Sequence, residues 1–399
     1  MWLLPSILIP IAHRFYKIMD RIKSSNIIFG DEIICGYVYY ENGKIVAVTD
    51  KELPFNSEYD AGDNFVSAGF IDIHTHGGGG FPFEGEVDDV VGGVNFHLGH
   101  GTTSICPTIS AAPIDDMRRS LGNIKSAMGD KRVPANIIGA HLEGPYLSLA
   151  QTGAQAGACI TFPVKEDYIS IVEEYKDALA RWTYAPEHDE SAEFAKYMQK
   201  AGVVTSAGHT NATYPDMKVA YEAGCKLVTH LYSCTSTITR DHGFRRLGVI
   251  ESTFLEDGIV AEIIADGKHL PPELIRMIYK IKGVDGIVAV TDSLSLAGTD
   301  VKTGRMTQTD FIIEDGVCKL LDRSAFAGSI ATADVLLRVL TKEVNIPLCD
   351  AIKLITVNPA RVMGLSDKGI LAEGKDADIV VFGADINVEA VFVGGVKVK

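Results

Sequence analysis

The chain has 399 residues, of which 46% are hydrophobic and 22% are charged, with 39 glycines and only 15 prolines. This composition is that of a globular protein and excludes disordered and collagen-like chains. The formal net charge of −15 repels nucleic-acid phosphates, and no basic stripe offsets it, so we expect no nucleic-acid partner. The seven cysteines are scattered without a C-x-x-C pair, which argues against a disulfide framework and favours a reducing cytoplasm.

The amino-terminal segment 2–11 is apolar, but a run of about ten residues with a proline inside is too short to span a membrane. The first basic residue, Arg14, follows the run, which is not the order of a secretory signal. Strand-like sequence begins soon after Met19. We therefore predict no membrane partner, an extension over residues 1–22, and Met19 as a candidate native start.

Short apolar runs alternate with helical segments from about residue 66, which is the pattern of β-α units around a parallel sheet. Helical periodicity is clearest at 193–201, 214–223 and 271–281. Eight such units in succession predict a TIM-like (β/α)8 barrel over residues 64–363. The predicted strands are 66–73, 103–107, 137–141, 182–185, 203–207, 227–230, 259–265 and 286–291.

The two flanks of the barrel differ from it in pattern. Segments 27–48 and 374–398 alternate like strands and contain the turn signals ENGK and GGVK. We therefore predict that both chain ends pair into one small β-sandwich domain, formed by residues 23–63 and 364–399.

Polar residues at the carboxyl ends of the barrel strands are the candidates for chemistry, because parallel α/β folds place their active sites there. The first predicted strand ends in His74 and His76, and a spacing of two puts both imidazoles on one face. The third ends in His141 and Glu143. We interpret His141 as a residue that supports the ligands of a metal site and is not itself a ligand, because it lies two positions before Glu143.

The fifth, sixth and eighth strands end in His209, His230 and Asp292. Any one of these could simply cap a turn, but in a barrel all the strand-end groups converge on one mouth. Imidazole and carboxylate ligands suit zinc or iron, and a site with three protein ligands leaves a position for water. The pattern therefore indicates metal-assisted hydrolysis.

Seven strings resemble, in order, the motifs of the N-acetylglucosamine-6-phosphate deacetylases of the amidohydrolase superfamily. The resemblance covers the chain from about residue 27 to its end. The tail, NPARVMGL (358–365) and KGILAEGKDADIVVF (368–382), is general to the superfamily, whereas HLEGP and IADGKH are more specific. The strings are GFIDIHTHG (69–77), HLEGPY (141–146), SAGHT (206–210), VTHLY (228–232), IADGKH (264–269), VTD (290–292) and AGS (327–329).

This resemblance implies a divalent metal cofactor. Glu143, His209 and His230 match the ligands of the principal catalytic ion. His74 and His76 imply a second site, since some family members keep this pair and others have lost it. Zinc is the first choice of metal, with iron or another divalent ion as the alternative, and either one or two ions are compatible with the ligands.

The resemblance also implies roles around the substrate. Asp292 matches the general base that takes a proton from the attacking water and returns it to the departing amine. His269 resembles the histidine that contacts substrate, and Arg245 resembles the arginine that pairs with the phosphate. A solvated surface charge is the alternative for Arg245. The family further implies a homodimer, in which a neighbouring subunit's side chain can reach the phosphate.

Two departures from the family pattern concern substrate contacts. Ser233 and Cys234 stand where many members have Asn-Ala, and Gln155 stands where a histidine commonly touches the substrate. Neither departure affects the metal ligands or Asp292, so they bear on the identity of the sugar and not on the reaction. A nucleophilic role for Cys234 has no supporting motif, and we interpret it as a small packing residue.

The leading hypothesis is a cytoplasmic, metal-dependent hydrolase that deacetylates an N-acetylhexosamine 6-phosphate, with N-acetyl-D-glucosamine 6-phosphate as the first choice. Its galactosamine epimer is an alternative, as is another N-acyl amidohydrolase of the superfamily that acts on an N-acylated amino acid or a cyclic amide. A catalytically silent sugar-phosphate sensor is a third hypothesis. The presence of Glu143, His209, His230 and Asp292 argues against it.

Overall fold

The computed structural model describes residues 19–306 and 309–399. Residues 1–18 of the predicted extension 1–22 lie outside the described residues, whereas residues 19–22 belong to the strand Met19–Phe29 of the small sheet. Both ends of the described chain contribute to one connected 8-stranded sheet, in which Ile379–Phe382 pairs antiparallel with Phe65–Ala68. The strands of this sheet are Met19–Phe29, Glu32–Glu41, Lys44–Thr49, Phe55–Asp60, Phe65–Ala68, Ile379–Phe382, Val388–Val393 and Val396–Lys397.

This small sheet has a core of its own, separate from the rest of the molecule. Ile22, Val38, Val66 and Ile379 are buried within it and come from both ends of the chain. The amino-terminal part of the sheet runs from residue 19 to residue 68, where the sequence analysis placed residues 23–63. Apolar burial thus ties the two chain ends into one unit.

Eight parallel strands form the barrel, and each pairs with its neighbour in chain order. Between the eighth and the first strand, the Asp292 amide donates to the His74 carbonyl at 2.9 Å. The predicted fold, a (β/α)8 barrel beside a small β domain, is confirmed. The first to eighth barrel strands are Phe70–Thr75, Thr102–Ser110, Ala140–Glu143, Leu179–Tyr184, Val204–Ala207, Leu227–Val228, Val260–Ile264 and Ile287–Val290.

Helices surround the barrel and bury one face each. Tyr214–Glu222 begins at a capping box, in which the Thr213 amide donates to the Asp216 carboxylate at 2.8 Å. Pro272–Lys282 buries Ile275 and Ile278. The described α-helices are Val87–Leu98, Ile114–Ala127, Lys165–Tyr175, Glu193–Ala201, Tyr214–Glu222, Val249–Leu255, Pro272–Lys282, Ala333–Arg338, Leu348–Leu354 and Val357–Val362. Within the described ranges, no helix is long and apolar enough to cross a membrane.

Short helical turns and small strands complete the described elements. The 3-10 turns are Leu149–Gln151, Gly157–Cys159, Pro186–His188 and Val284–Gly286, and Val339–Glu343 is a π turn. The small strands are Gly77–Gly78 with Phe81–Pro82, Asn136–Ile137, Thr239–Asp241 with Phe244–Arg246, and the four-stranded antiparallel sheet Thr303–Met306, Thr309–Glu314, Val317–Leu320 and Phe326–Gly328.

The predicted strand 66–73 is divided in two. Phe65–Ala68 belongs to the small sheet and Phe70–Thr75 to the barrel, with Gly69 between them. A Cβ atom at Gly69 would lie 2.0 Å from Thr103 Oγ1, so the chain passes too close to the second barrel strand for any side chain there. A continuous apolar run therefore hides the point at which the chain leaves one sheet for the other.

Candidate active site

Six polar side chains converge at the carboxyl-terminal mouth of the barrel, and all six are buried. Each lies in the last part of a barrel strand or within two residues of its end. Three of them adopt a left-handed backbone conformation, with φ of 47° at His209, 29° at His230 and 47° at Asp292. Such strain persists only where surrounding contacts hold it, and it is typical of functional positions. The six are His74, His76, Glu143, His209, His230 and Asp292.

Glu143 lies at the centre of this group. Its Oε1 atom is 2.9 Å from His230 Nε2 and 3.1 Å from His209 Nε2. These three residues form one cluster whose ligand atoms lie within 4.8 Å of one another. The predicted ligands of the principal metal are therefore adjacent in space.

A second cluster lies beside the first. Asp292 Oδ1 is 3.4 Å from His74 Nε2 and 3.3 Å from His76 Nε2. Glu143 also reaches this cluster, because its Oε2 atom is 3.3 Å from His76 Nε2. Both groups thus offer three ligand atoms from imidazole and carboxylate, and Glu143 lies between them.

All four imidazoles turn Nε2 inward and Nδ1 toward an oxygen outside the cluster. Carboxylate and carbonyl oxygens only accept, and the Ser110 hydroxyl already donates to Glu84, so Nδ1 of each neutral ring carries the proton. This outward bond fixes the ring orientation, as in metal sites. The acceptors are Glu262 Oε1 for His74 (2.9 Å), Ser110 Oγ for His76 (3.0 Å), the Gln151 carbonyl for His209 (2.9 Å) and the Ser233 carbonyl for His230 (3.0 Å).

The inward nitrogens fit a metal ion. With the protons on Nδ1, the lone pairs of His209 Nε2 and His230 Nε2 lie only 3.2 Å apart and beside a carboxylate oxygen. His74 Nε2 is buried and has no hydrogen-bond partner among the described residues. Buried lone pairs that face one another without a donor are unfavourable, and a metal ion between them would remove this cost.

The charges of the site lead to the same conclusion. Burial lowers the pKa of His74, but Asp292, Glu143 and Glu262 outweigh this effect and raise the pKa of His74 to about 9. Burial also opposes the shift at His76, yet its carboxylate neighbours raise its pKa well above the ordinary value. The buried carboxylates thus favour positive charge at the centre.

A buried ion pair between Arg181 and Glu262 supports the two ligand clusters from inside the barrel, and it was not predicted from the sequence. Glu262, in the seventh strand, accepts from Arg181 Nη1 at 2.5 Å and from the His230 amide at 3.2 Å, besides holding His74. Arg181 also donates to the Ile73 carbonyl at 3.1 Å. The available signal was an acid and an arginine inside otherwise buried strands, where charged residues occur only with partners.

His141 lies behind the ligands, as its position before Glu143 indicated. Its ring packs edge-on against His74, with the ring centroids 4.7 Å apart. Its two nitrogens bond to the hydroxyls of Thr108 and Thr183 at 3.1 and 2.7 Å. Burial lowers the pKa of His141 well below the ordinary value, so this ring is a neutral support.

A cavity of about 270 Å³ opens over the two clusters. Four of the predicted substrate residues, Gln155, Ser233, Cys234 and His269, line it. His269 is oriented by Asp266, whose Oδ2 accepts from its Nδ1 at 2.8 Å. Further lining residues were not predicted, among them Tyr232, Met306 and Phe326.

Arg245 does not join this group within the described chain. It lies on the exposed hairpin formed by Thr239–Asp241 and Phe244–Arg246, where its Nη1 donates to the Gly243 carbonyl at 3.2 Å. It is not among the residues that line the cavity.

A sequence model of the amidohydrolase family matches residues 65–398. The chain belongs to the amidohydrolase family. Enzymes of this family are metal-dependent, which agrees with the two clusters of imidazole and carboxylate ligands.

Individual relatives extend this assignment. N-acetylglucosamine-6-phosphate deacetylase from Bacillus subtilis is 30% identical over 376 residues, which cover 92% of this chain and 94% of the relative. N-acetylgalactosamine-6-phosphate deacetylase from Shewanella sp. (strain ANA-3) is 30% identical over 374 residues, 92% of this chain and 89% of the relative. A mutant N-acetyl-D-glucosamine-6-phosphate deacetylase from Mycobacterium smegmatis, solved with N-acetyl-D-glucosamine 6-phosphate, has a TM-score of 0.88 at 28% identity over 96% of this chain and 99% of that one. The resemblance inferred from the motifs is confirmed.

The position of Glu143 predicts the effect of neutralising it. In Glu143→Gln, the carboxylate that faces His209 and His230 is replaced by an amide, a much weaker metal ligand. We expect the purified variant to lose about one ion per chain. Elemental analysis of the desalted protein measures this, with the exposed Glu174→Gln as the matched control. Full metal occupancy in Glu143→Gln would refute the assignment.

Proposed function

We propose that this chain is a deacetylase that hydrolyses N-acetyl-D-glucosamine 6-phosphate to D-glucosamine 6-phosphate and acetate. The observation that carries the proposal is the position of Asp292, which belongs to the second ligand cluster and lies beside the first at the base of a cavity. Relatives with this activity align along most of the chain at about 30% identity, which supports the same reaction here. The galactosamine epimer is the second candidate, because a relative of equal identity is named for it.

The mechanism needs an electrophile, a nucleophile and a proton donor, because an amide is unreactive and its amine leaves poorly. Glu143, His209 and His230 would hold a divalent ion, which would supply Lewis acidity for the acetyl carbonyl and would bring the pKa of water to about 7. Zinc is the proposed ion, because three imidazole or carboxylate ligands with an open position are typical of catalytic zinc. One or two ions are compatible with the two clusters.

Asp292 moves the proton. Burial raises the pKa of its carboxyl, but His74 and His76 outweigh this effect and lower the pKa below its usual value, so the carboxylate is ionised. It accepts a proton as the water oxygen bonds to the acetyl carbon. It then returns this proton to the nitrogen as the carbon–nitrogen bond breaks, and acetate and the amine leave.

The cavity walls orient the sugar. Because Asp266 holds His269 Nδ1, the Nε2 atom of that ring is left for a substrate oxygen. Ser233 and Cys234 line the same cavity, in the segment just after His230. We assign these residues to sugar contacts, with Cys234 as a small packing residue and not a nucleophile.

The phosphate requires a cation that the described cavity does not supply. Among the described residues that line it, none is an arginine or a lysine. Arg245 lies on an exposed hairpin with Phe244, whose relative exposure is 73%. An exposed aromatic ring beside a free arginine suits docking onto another subunit. We therefore propose a homodimer in which Arg245 of one copy binds the phosphate in its partner. A reducing cytoplasm is the proposed compartment, since the seven cysteines are scattered along the chain without a C-x-x-C pair.

Acetate release tests the reaction directly. Metallated protein should release acetate from N-acetylglucosamine 6-phosphate, more slowly from its galactosamine epimer and from the unphosphorylated sugars, and should lose this activity on chelation. Metal content is measured on the same preparation. No turnover of any of these sugars by fully metallated protein would contradict the proposed function.

Replacing Asp292 tests the proton transfer. Asp292→Asn keeps the size of the side chain but cannot accept the proton, so kcat should fall about 10² to 10⁴-fold while KM changes little. Steady-state kinetics measures this, together with retention of the ion at Glu143. Asp285→Asn, near the amino end of the same strand, is the control. A kcat equal to that of the wild type would exclude Asp292 as the base.

Replacing Arg245 tests the phosphate contact. Arg245→Ala should raise KM for the phosphorylated sugar about 10-fold or more, since a charge-assisted hydrogen bond is lost, and should leave turnover of the unphosphorylated sugar unchanged. Arg240→Ala, at the opposite position on the same hairpin, is the matched control. The assignment fails if both variants keep the wild-type KM.

A further inference from the structure

Gln155 is in direct contact with the central carboxylate. It lies between the turns Leu149–Gln151 and Gly157–Cys159 and is buried. Its Oε1 atom accepts from the Ala111 amide at 2.8 Å, and its Nε2 atom donates to Glu143 Oε2 at 2.6 Å. Since a backbone amide can only donate, this bond fixes the side-chain amide with its NH2 group toward Glu143.

The two oxygens of Glu143 therefore have different partners. Oε1 faces His209 and His230 and accepts nothing from Gln155. Oε2 accepts the Gln155 bond and is also the Glu143 oxygen nearest to His76, at 3.3 Å. A ligand oxygen that already accepts a short hydrogen bond has less electron density to give a metal.

This asymmetry bears on both ligand clusters. Oε2 is the Glu143 oxygen nearest to the second cluster, at 3.3 Å from His76 Nε2, whereas Oε1 is 3.5 Å from His74 Nε2 and already faces His209 and His230. Gln155 donates to Oε2 and so occupies one of its lone-pair sites. In the first cluster, none of the three ligand atoms accepts the Gln155 hydrogen bond. The second cluster keeps its own three ligand atoms, but that hydrogen bond weakens the Glu143 oxygen nearest to it as a further ligand. Each cluster consists of two imidazoles and one carboxylate. The Gln155 hydrogen bond is therefore a specific reason for the two clusters to bind a metal ion with different affinity.

We propose that Gln155 is a positioning residue that reserves Glu143 for the ion held by His209 and His230, and so makes an ion at His74, His76 and Asp292 the weaker and exchangeable one. This inference rests on the metal dependence in the proposed function. It gives Gln155 a role in metal affinity in addition to its place in the cavity wall.

Zinc titration tests the proposal. Protein is equilibrated against a series of buffered free Zn²⁺ concentrations, and bound zinc per chain is measured by elemental analysis. The wild type should bind two ions in separate steps, with the second at least about tenfold weaker. Gln155→Leu removes the hydrogen bond that occupies Oε2 and should tighten the second step, by about the tenfold that contacts behind a metal ligand are worth, with a smaller change in the first. A weaker second step, as the loss of an orienting bond alone would give, would contradict the proposal. Gln199→Leu, on an exposed helix position, is the matched control.

Further variants identify which cluster binds the weaker zinc ion and control for misfolding. His76→Ala should abolish the weaker step, and adding Gln155→Leu to it should leave only the smaller effect on the first step. Gln155→Glu keeps an acceptor for the Ala111 amide but removes the donor to Glu143. It should therefore reduce the difference in affinity between the two zinc steps, even if Gln155→Leu is unstable in a thermal melt. The proposal would be overturned if the wild type bound both zinc ions with equal affinity. It would also be overturned if neither Gln155→Leu nor Gln155→Glu reduced the difference in affinity between the two zinc steps.

Acetate release on the same preparations separates this inference from the proposed function. Two unequal zinc steps without release of acetate would contradict the function alone. Acetate release by a protein whose two zinc steps coincide would contradict the role of Gln155 alone.

Discussion

The outward hydrogen bond at Nδ1 of each site histidine is the constraint on which the active site depends. An imidazole that rotated freely could present either nitrogen to the centre, and the buried lone pairs would then not converge. Here an oxygen outside the cluster holds every ring, and for His74 that oxygen belongs to Glu262, which is itself paired with Arg181. The orientation of the imidazoles at the barrel mouth thus depends on hydrogen bonds made inside the barrel, beneath the ligands.

Closure of the barrel and assembly of the site use the same contacts. The Asp292 amide donates to the His74 carbonyl at 2.9 Å, and the neighbouring Thr291 hydroxyl donates to Asp72 at 2.6 Å. These bonds join the last strand to the first and also bring Asp292 to the His74 and His76 rings. The left-handed backbone at Asp292 is held by the same bonds, so a change that opens this seam would disturb both fold and chemistry.

The sequence could predict that the six strand-end side chains meet at one mouth, because their positions follow from period and topology. A polar residue that ends an apolar run lies at the mouth of a parallel barrel whatever the remaining sequence does. Glu262 and Arg181 could not be found in this way, because they pair across 81 residues from the interiors of two strands. Gly69 could not be placed either, since the run on both sides is equally apolar. The exposed position of Arg245 depends on a hairpin that has no apolar pattern of its own.

Reaction and specificity come from different parts of the chain. The metal ligands and Asp292 lie on strand ends, which the barrel holds rigidly, whereas Met306 and Phe326 reach the cavity from the four-stranded sheet inserted after the eighth strand. Substitutions in such insertions can reshape the cavity without moving a ligand. Gln155 is the exception, because one side chain both lines the cavity and bonds to Glu143. Under the roles proposed for Gln155, one substitution at this position alters both the cavity wall and the hydrogen bond to Glu143, so sugar preference and metal affinity are coupled there.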